Sequence, residues 1–210
     1  MRPSDVSHLE RGLVDELTIH VLRRIAAVVG MRVELLPRWR GVELDRLVNG
    51  AHAELQRAVL AWLARRPGWV VLTEVTFSIF GERGAIDLLG WHEATRTVLV
   101  IELKTLIVDA AEIEREMDRR MRLALEIAAQ QGWRAATVAR WVVVTDTRTN
   151  RRHVERFAAI LRRPGTIDGR TMRAWLRSPR GPVVALSFWP EPKARIRSRV
   201  RASRSSPGRV

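Results

Sequence analysis

The segment VLVIELKTLIV, residues 98–108, constrains the fold more than any other part of this chain. It is apolar on both faces of an extended backbone, the pattern of a central strand covered on each side. Even so, it carries Glu102 and Lys104 two positions apart, and period-2 alternation places both on one face. In the preceding run AIDLLGW, Asp87 likewise interrupts an apolar stretch, and a hairpin between the two runs would bring it beside Glu102. Two carboxylates and an ammonium on one buried face are each costly unless they are paired or bind a cation. Carboxylates converging with a free backbone carbonyl, here that of Leu103, make an oxygen-rich site suited to Mg²⁺ or Mn²⁺.

Each of these charges taken singly also fits an ion pair or an exposed strand end. Residue usage argues against that reading. Of the 37 basic residues only Lys104 and Lys193 are lysine, so the basic slot beside Glu102 holds the rare residue. A compact ammonium approaches water or a phosphate where a guanidinium fork would not serve equally.

Around this strand the pattern predicts a helix from Leu44 through Leu47, Val48, Ala51, Leu55, Val59 and Trp62, ending before Pro67 and Gly68. Three β-rich runs follow, Trp69–Phe80, Ala85–Trp91 and Thr97–Thr105, separated by GERG and by a polar turn at His92–Arg96. A second helix runs from about Ala110 to Gln131, with Asp109 as N-cap and Glu112, Glu114 and Glu116 near its positive end. ARWVVVT then reads as a buried strand, RRHVERFAAILRR as a helix and VVALSF as a last strand. This order predicts an α/β protein with a mixed central sheet flanked by helices.

Helix, three-strand meander, helix, strand, with Glu54 on the first helix, then Asp87, then Glu102-Leu103-Lys104, resembles the PD-(D/E)XK nuclease superfamily. That group includes restriction endonucleases and Holliday junction resolvases. The resemblance covers Glu43 to Asp146 and departs from the named motif in having Ala85-Ile86-Asp87 without the proline. It implies a restriction-endonuclease-like core over 43–192 and a metal-dependent endonuclease acting on DNA. Asp87, Glu102 and the Leu103 carbonyl would ligate Mg²⁺ or Mn²⁺, Lys104 would activate water and stabilise developing charge, and Glu54 would support the metal site. From the residues alone, Glu54 sits at the border of the apolar stripe and suits solvent equally well. Glu74 is the rival acid and ranks below it. Arg83, Arg115, Arg119, Arg120 and Arg122 are candidates for a phosphate track.

Residues 1–42 carry a second resemblance. SDVSHLERG followed by LTIHVLRRIAAVVGMRVEL is similar to the latter half of a repressor/Cro-type helix-turn-helix, in which Ser4, Ser7 and His8 would face bases or phosphates. Such domains begin with two further helices, roughly 25 residues, so the segment is expected to be a truncated or degenerate remnant. It supports an alternative function: a DNA-binding transcriptional regulator whose nuclease-like domain is catalytically silent.

The charge balance fits a polyanionic partner. Net charge is +14, and residues 193–210 hold seven basic residues, among them Arg195, Arg197 and Arg199, and no acid. With Ser203, Ser205, Ser206, Pro207 and Gly208 interleaved, this tail is expected to be disordered and to bind phosphates without sequence preference. The absence of cysteine excludes disulfide scaffolds and thiolate zinc sites, and no apolar run is long enough to span a membrane. The expectation is a soluble cytoplasmic protein, with a homodimer plausible for cutting two strands. The five histidines lack zinc-type spacing, and no Gly-rich phosphate loop is present. Trp91 and Trp189 are expected to pack rather than stack on bases.

Overall fold

The computed structural model of the chain describes residues 3–12, 18–31 and 42–191. It divides into two compact units, residues 1–40 and 41–210. In the first, α1 (Pro3–Glu10) and α2 (Ile19–Val28) are helical, α2 being capped by Thr18, whose hydroxyl accepts the Val21 N–H.

The second unit is built on one six-stranded sheet in the order β1-β2-β3-β4-β6-β5. β1 (Trp69–Ile79), β2 (Glu82–His92) and β3 (Thr97–Lys104) form an antiparallel meander, while β4 (Thr137–Thr145) pairs in parallel with β3 and with β6 (Val184–Trp189), and β6 in parallel with β5 (Thr166–Ile167). The sheet is mixed, as the element order predicts. α3 (Val42–Leu63) precedes it, and α4 (Ala110–Gln130) crosses from β3 to β4. The Asp109 side chain caps α4 as expected, accepting the Ala111 and Glu112 N–H groups.

Two apolar layers cover the sheet. On one face Leu55, Val59 and Leu63, spaced one turn apart on α3, pack with Leu88, Leu99, Ile101, Leu103, Trp141 and Val143. On the other, Ile113, Met117, Ala124 and Ile127 of α4 pack with Leu89, Val98, Val100, Val142 and Val144. β3 is buried along nearly its whole length because both layers meet it. Trp91 stacks on Trp133 and Trp189 packs edge-on against Trp62 and Trp141, so both are packing residues as expected.

Three features differ from the sequence reading. The first turn is Phe80-Gly81, with Glu82, Arg83 and Gly84 already inside β2, because both turn residues adopt positive φ and let the strands pair at once. The helix at RRHVERFAAILRR breaks at Phe157 into α5 (Arg148–Arg156) and α6 (Ala158–Leu161). Between it and β6 lie β5 and α7 (Gly169–Trp175), too short to show a period. α7 is capped by Asp168, and its Met172 joins the α3-side layer.

Candidate active site

The central strands part company at the expected site. β2 and β3 pair from His92↔Thr97 to Leu88↔Ile101 and no further, after which β2 continues with β1 alone and β3 with β4 alone. Asp87 and Glu102 are the next residues across this fork. Asp87 Oδ2 accepts the Leu103 N–H at 2.7 Å, so a carboxylate replaces the backbone carbonyl of the interrupted ladder. A strand residue turns its N–H and C=O to the same side, which aims the Leu103 carbonyl into the fork as well.

β1 responds at the same level. Pairing between β1 and β2 keeps one register on either side of Glu74 and Asp87, yet the faces exchange there. Leu72 packs on the α4 side and Val71 on the α3 side, but beyond Glu74 it is Val75, Phe77 and Ile79 that reach the α4 side. In β2, Leu89 and Ile86 share that layer while Leu88 faces the other. One irregular residue in each strand inverts the alternation without shifting the register. On β1 that residue is Glu74, with φ +51°, a left-handed backbone that costs about 1–2 kcal/mol for a residue with a side chain. Such strain concentrates where a side chain must be aimed.

α3 closes the fork from one face. Gln56 Nε2 donates to Glu74 Oε1 at 2.6 Å and to the Asp87 carbonyl at 3.3 Å, and His52 Nε2 lies 3.9 Å from Asp87 Oδ1. His52, Glu74 and Asp87 offer ligand atoms that all lie within 4.8 Å of one another. On the other face Glu102, with a side chain only 3% exposed, pairs through one oxygen with Lys104 Nζ at 2.7 Å and through the other with Arg120 of α4. Arg120 also reaches Glu116 at 3.6 Å, one turn back on its own helix.

The charges are unevenly shared. Both cations serve Glu102, whereas the ion-pair contact of Asp87 among the described residues is the His52 imidazole. Burial, then the Glu102 charge, push the Asp87 carboxyl up to about 6, against the opposing pull of the Leu103 N–H, His52 and Arg120. Asp87 is thus a half-buried carboxylate facing two other acids, Glu74 and Glu102.

The sequence-predicted residues are partly assembled. Asp87, Glu102, Leu103 and Lys104 meet at the fork, Glu102 and Lys104 on one face as alternation required. Glu54, the acid expected from the first helix, is not part of the cluster: two residues from both His52 and Gln56, it lies about 160° around α3 from them. Glu74, ranked below it, takes the place beside Asp87. Arg120 leaves the expected phosphate track because it is buried on Glu102. His52 and Gln56 were not singled out from the sequence; their signal is the one-turn spacing beside Leu55 and Val59. In the other unit, Ser7 and His8 lie on α1, where the Ser7 carbonyl accepts from Arg11, and the Ser4 side chain lies outside the described ones. Arg195, Arg197 and Arg199 are outside the described residues.

Comparison with protein-family models, with curated proteins and with solved structures finds no match to this chain. Among the described residues no helix is long and apolar enough to cross a membrane.

Proposed function

We propose that the chain is a divalent-metal-dependent endonuclease that hydrolyses DNA phosphodiester bonds at the β2–β3 fork. The observation that carries the reading is the pairing of opposites at that fork: Asp87, half-buried with its carboxyl raised by burial and by Glu102, beside Glu102, which fixes Lys104. The donors fit a hard dication. Asp87, Glu102 and the Leu103 carbonyl supply oxygen on one side, and His52 with Glu74 shares Asp87 on the other. An imidazole in the set favours Mn²⁺ over Mg²⁺, since nitrogen ligands suit transition metals better. Bound there, the ion would supply Lewis-acid polarisation of a phosphoryl oxygen and a lowered pKa for water.

The protein's own groups do the rest. Arg120 holds the far oxygen of Glu102 and so sets the orientation of this acid. Lys104 is anchored on Glu102 at one side and 29% exposed, so its ammonium can donate to a phosphate oxygen or to an attacking water. Gln56 fixes the Glu74 carboxylate and the Asp87 backbone together, holding β1, β2 and α3 in one geometry. The net positive charge draws the polyanion toward the site.

The test is incubation of supercoiled plasmid and of single-stranded circular DNA with Mn²⁺ or Mg²⁺, for wild type and Lys104→Ala. Nicking or linearisation that the variant loses by at least about a hundredfold supports the enzyme. A second reading has one observation in its favour, that Glu102 is already fully paired by Lys104 and Arg120. It makes the second unit a silent partner of a DNA-binding regulator, and DNA binding without cleavage of either substrate by the wild type decides for it.

A further inference from the structure

β6 has a strand on its outer side only where it begins. β5 pairs with it at Val184 and Ala185, and no described strand lies on that edge from Leu186 to Trp189. α7 comes against β6 there instead. Its first residue is Gly169, where a Cβ would stand 2.9 Å from the Ser187 Cβ, so the missing side chain is what lets the helix start against the strand. A cleft of about 380 Å³ beside this contact is lined by Arg170, Arg173 and Ala174 of α7, by Arg177 just after it, and by Phe188 of β6.

The lining carries one sign of charge. Arg170, Arg173 and Arg177 fall within about 60° of one another around the helix. All three are exposed and none is in an ion pair among the described residues. From Gly169 to Pro190 the chain has no acid. The acids that flank this stretch in the fold have other partners: Asp168 accepts the Thr171 N–H as the helix cap, and Asp146 holds Arg151 through two bonds of 2.6 Å and 2.7 Å. Arg151 in turn lies over the Phe188 ring, 4.6 Å from its centroid. Like charges gathered on one helix face cost stability, and the guanidinium fork matches the oxygens of a phosphate.

The register of the sheet relates this cleft to the fork. One line across the parallel strands runs Lys104↔Val144↔Phe188, and Val144 and Phe188 share the α4 face with Glu102. Two strand spacings, about 10 Å, separate Phe188 from Lys104. Both stand at the carboxyl ends of parallel strands, the edge at which open α/β sheets take their ligands. We propose that the α7–β6 cleft holds a backbone phosphate of a nucleic acid, about three nucleotides from the phosphate at the fork at about 3.4 Å each. This rests on the proposed reading of the fork as a nuclease site, and it adds a second contact that anchors the strand without entering the chemistry. The arginines take the phosphate oxygens, and Phe188 is the apolar wall against which the adjoining nucleoside packs.

The experiment measures fluorescence anisotropy of a labelled duplex in EDTA, between about 50 and 200 mM salt, alongside plasmid nicking with Mn²⁺. Arg170→Gln/Arg173→Gln is expected to weaken binding about tenfold or more and to flatten the dependence of log K on log salt by about two. Arg177→Gln alone is expected to flatten it by about one, which keeps the test open should the double variant not fold. The control is Arg134→Gln/Arg162→Gln, an equal loss of charge ahead of β4 and β5 at the opposite end of the parallel strands, and it is expected to change the slope far less. Nicking at saturating protein should survive in the double variant, with more protein needed to reach it. Cleft and control variants that weaken binding equally overturn the cleft and leave the nuclease reading standing. Loss of nicking at saturation with an unchanged salt slope also overturns it. Wild type that binds a labelled mononucleotide as tightly as the duplex overturns the strand contact in favour of a small-ligand pocket. Wild type that neither binds nor nicks DNA overturns both readings.

Discussion

Asp87 and Leu103 are joined by a hydrogen bond of 2.7 Å in which a side chain stands where a strand carbonyl should be. The bond satisfies a backbone N–H that the separating strands would otherwise orphan, and it holds a carboxylate between them. The fork is thereby both stabilised at its apex and charged.

That arrangement opposes stability and function at Asp87. The carboxyl rises from 3.8 unfolded to about 6 folded, chiefly through burial, so the folded state favours the protonated form. Its contribution to stability is fully present below pH 3.8 and is lost as pH rises through about 6. At pH 7.5 the ionised group costs about 3 kcal/mol, from roughly two pKa units at 1.36 kcal/mol each. Asp87→Asn should therefore be more stable than wild type at pH 7.5, by up to about 3 kcal/mol in urea unfolding. The difference should vanish near pH 4.

Lys104 and Arg120 serve the same acid with different consequences. Arg120→Ala leaves Glu102 buried with half its partners and should destabilise the fold by about 3 kcal/mol. Lys104 is partly exposed, so Lys104→Ala should cost about 1 kcal/mol or less while removing cleavage. Thermal unfolding and the plasmid assay, run on both variants, separate the roles.

The acids of the first helix and first strand should also differ. Glu54→Ala, on the side of α3 turned away from the fork, should leave Mn²⁺ affinity unchanged. Glu74→Ala removes a carboxylate from the cluster and should weaken Mn²⁺ binding about tenfold or more. Glu74→Gly should lose the same affinity but gain about 1 kcal/mol of stability, because glycine accepts φ +51° without strain. Calorimetric titration of the three proteins checks the ordering.

His52 is expected to set metal preference. His52→Ala should lower Mn²⁺ affinity by about tenfold or more while changing Mg²⁺ affinity little, since Mg²⁺ gains least from an imidazole. Equal losses for both ions would mean that His52 acts on Asp87 by charge alone.

Much of this was legible in the chain because it is local. Period-2 alternation alone places Glu102 and Lys104 on one face, and Asp109 declares its helix by position. What was not legible depends on partners far away in sequence. Glu114, read as a favourable charge near the start of α4, instead pairs with Arg140, buried 26 residues further on, at 2.5 Å and 3.1 Å. Its neighbour Glu116 serves Arg120. Glu74 rather than Glu54 stands beside Asp87, and because the inversion of faces at Glu74 leaves the register unchanged, no pattern along β1 announces it. His52 gains meaning only once α3 lies across β1 and β2.

The most direct test of the account is a calorimetric titration of Mn²⁺ into wild type and Asp87→Asn at pH 7.5, without DNA. Wild type is expected to bind saturably and the variant not at all, although the variant is the more stable protein. Equal binding by both would place the cation elsewhere and contradict the fork as the metal site.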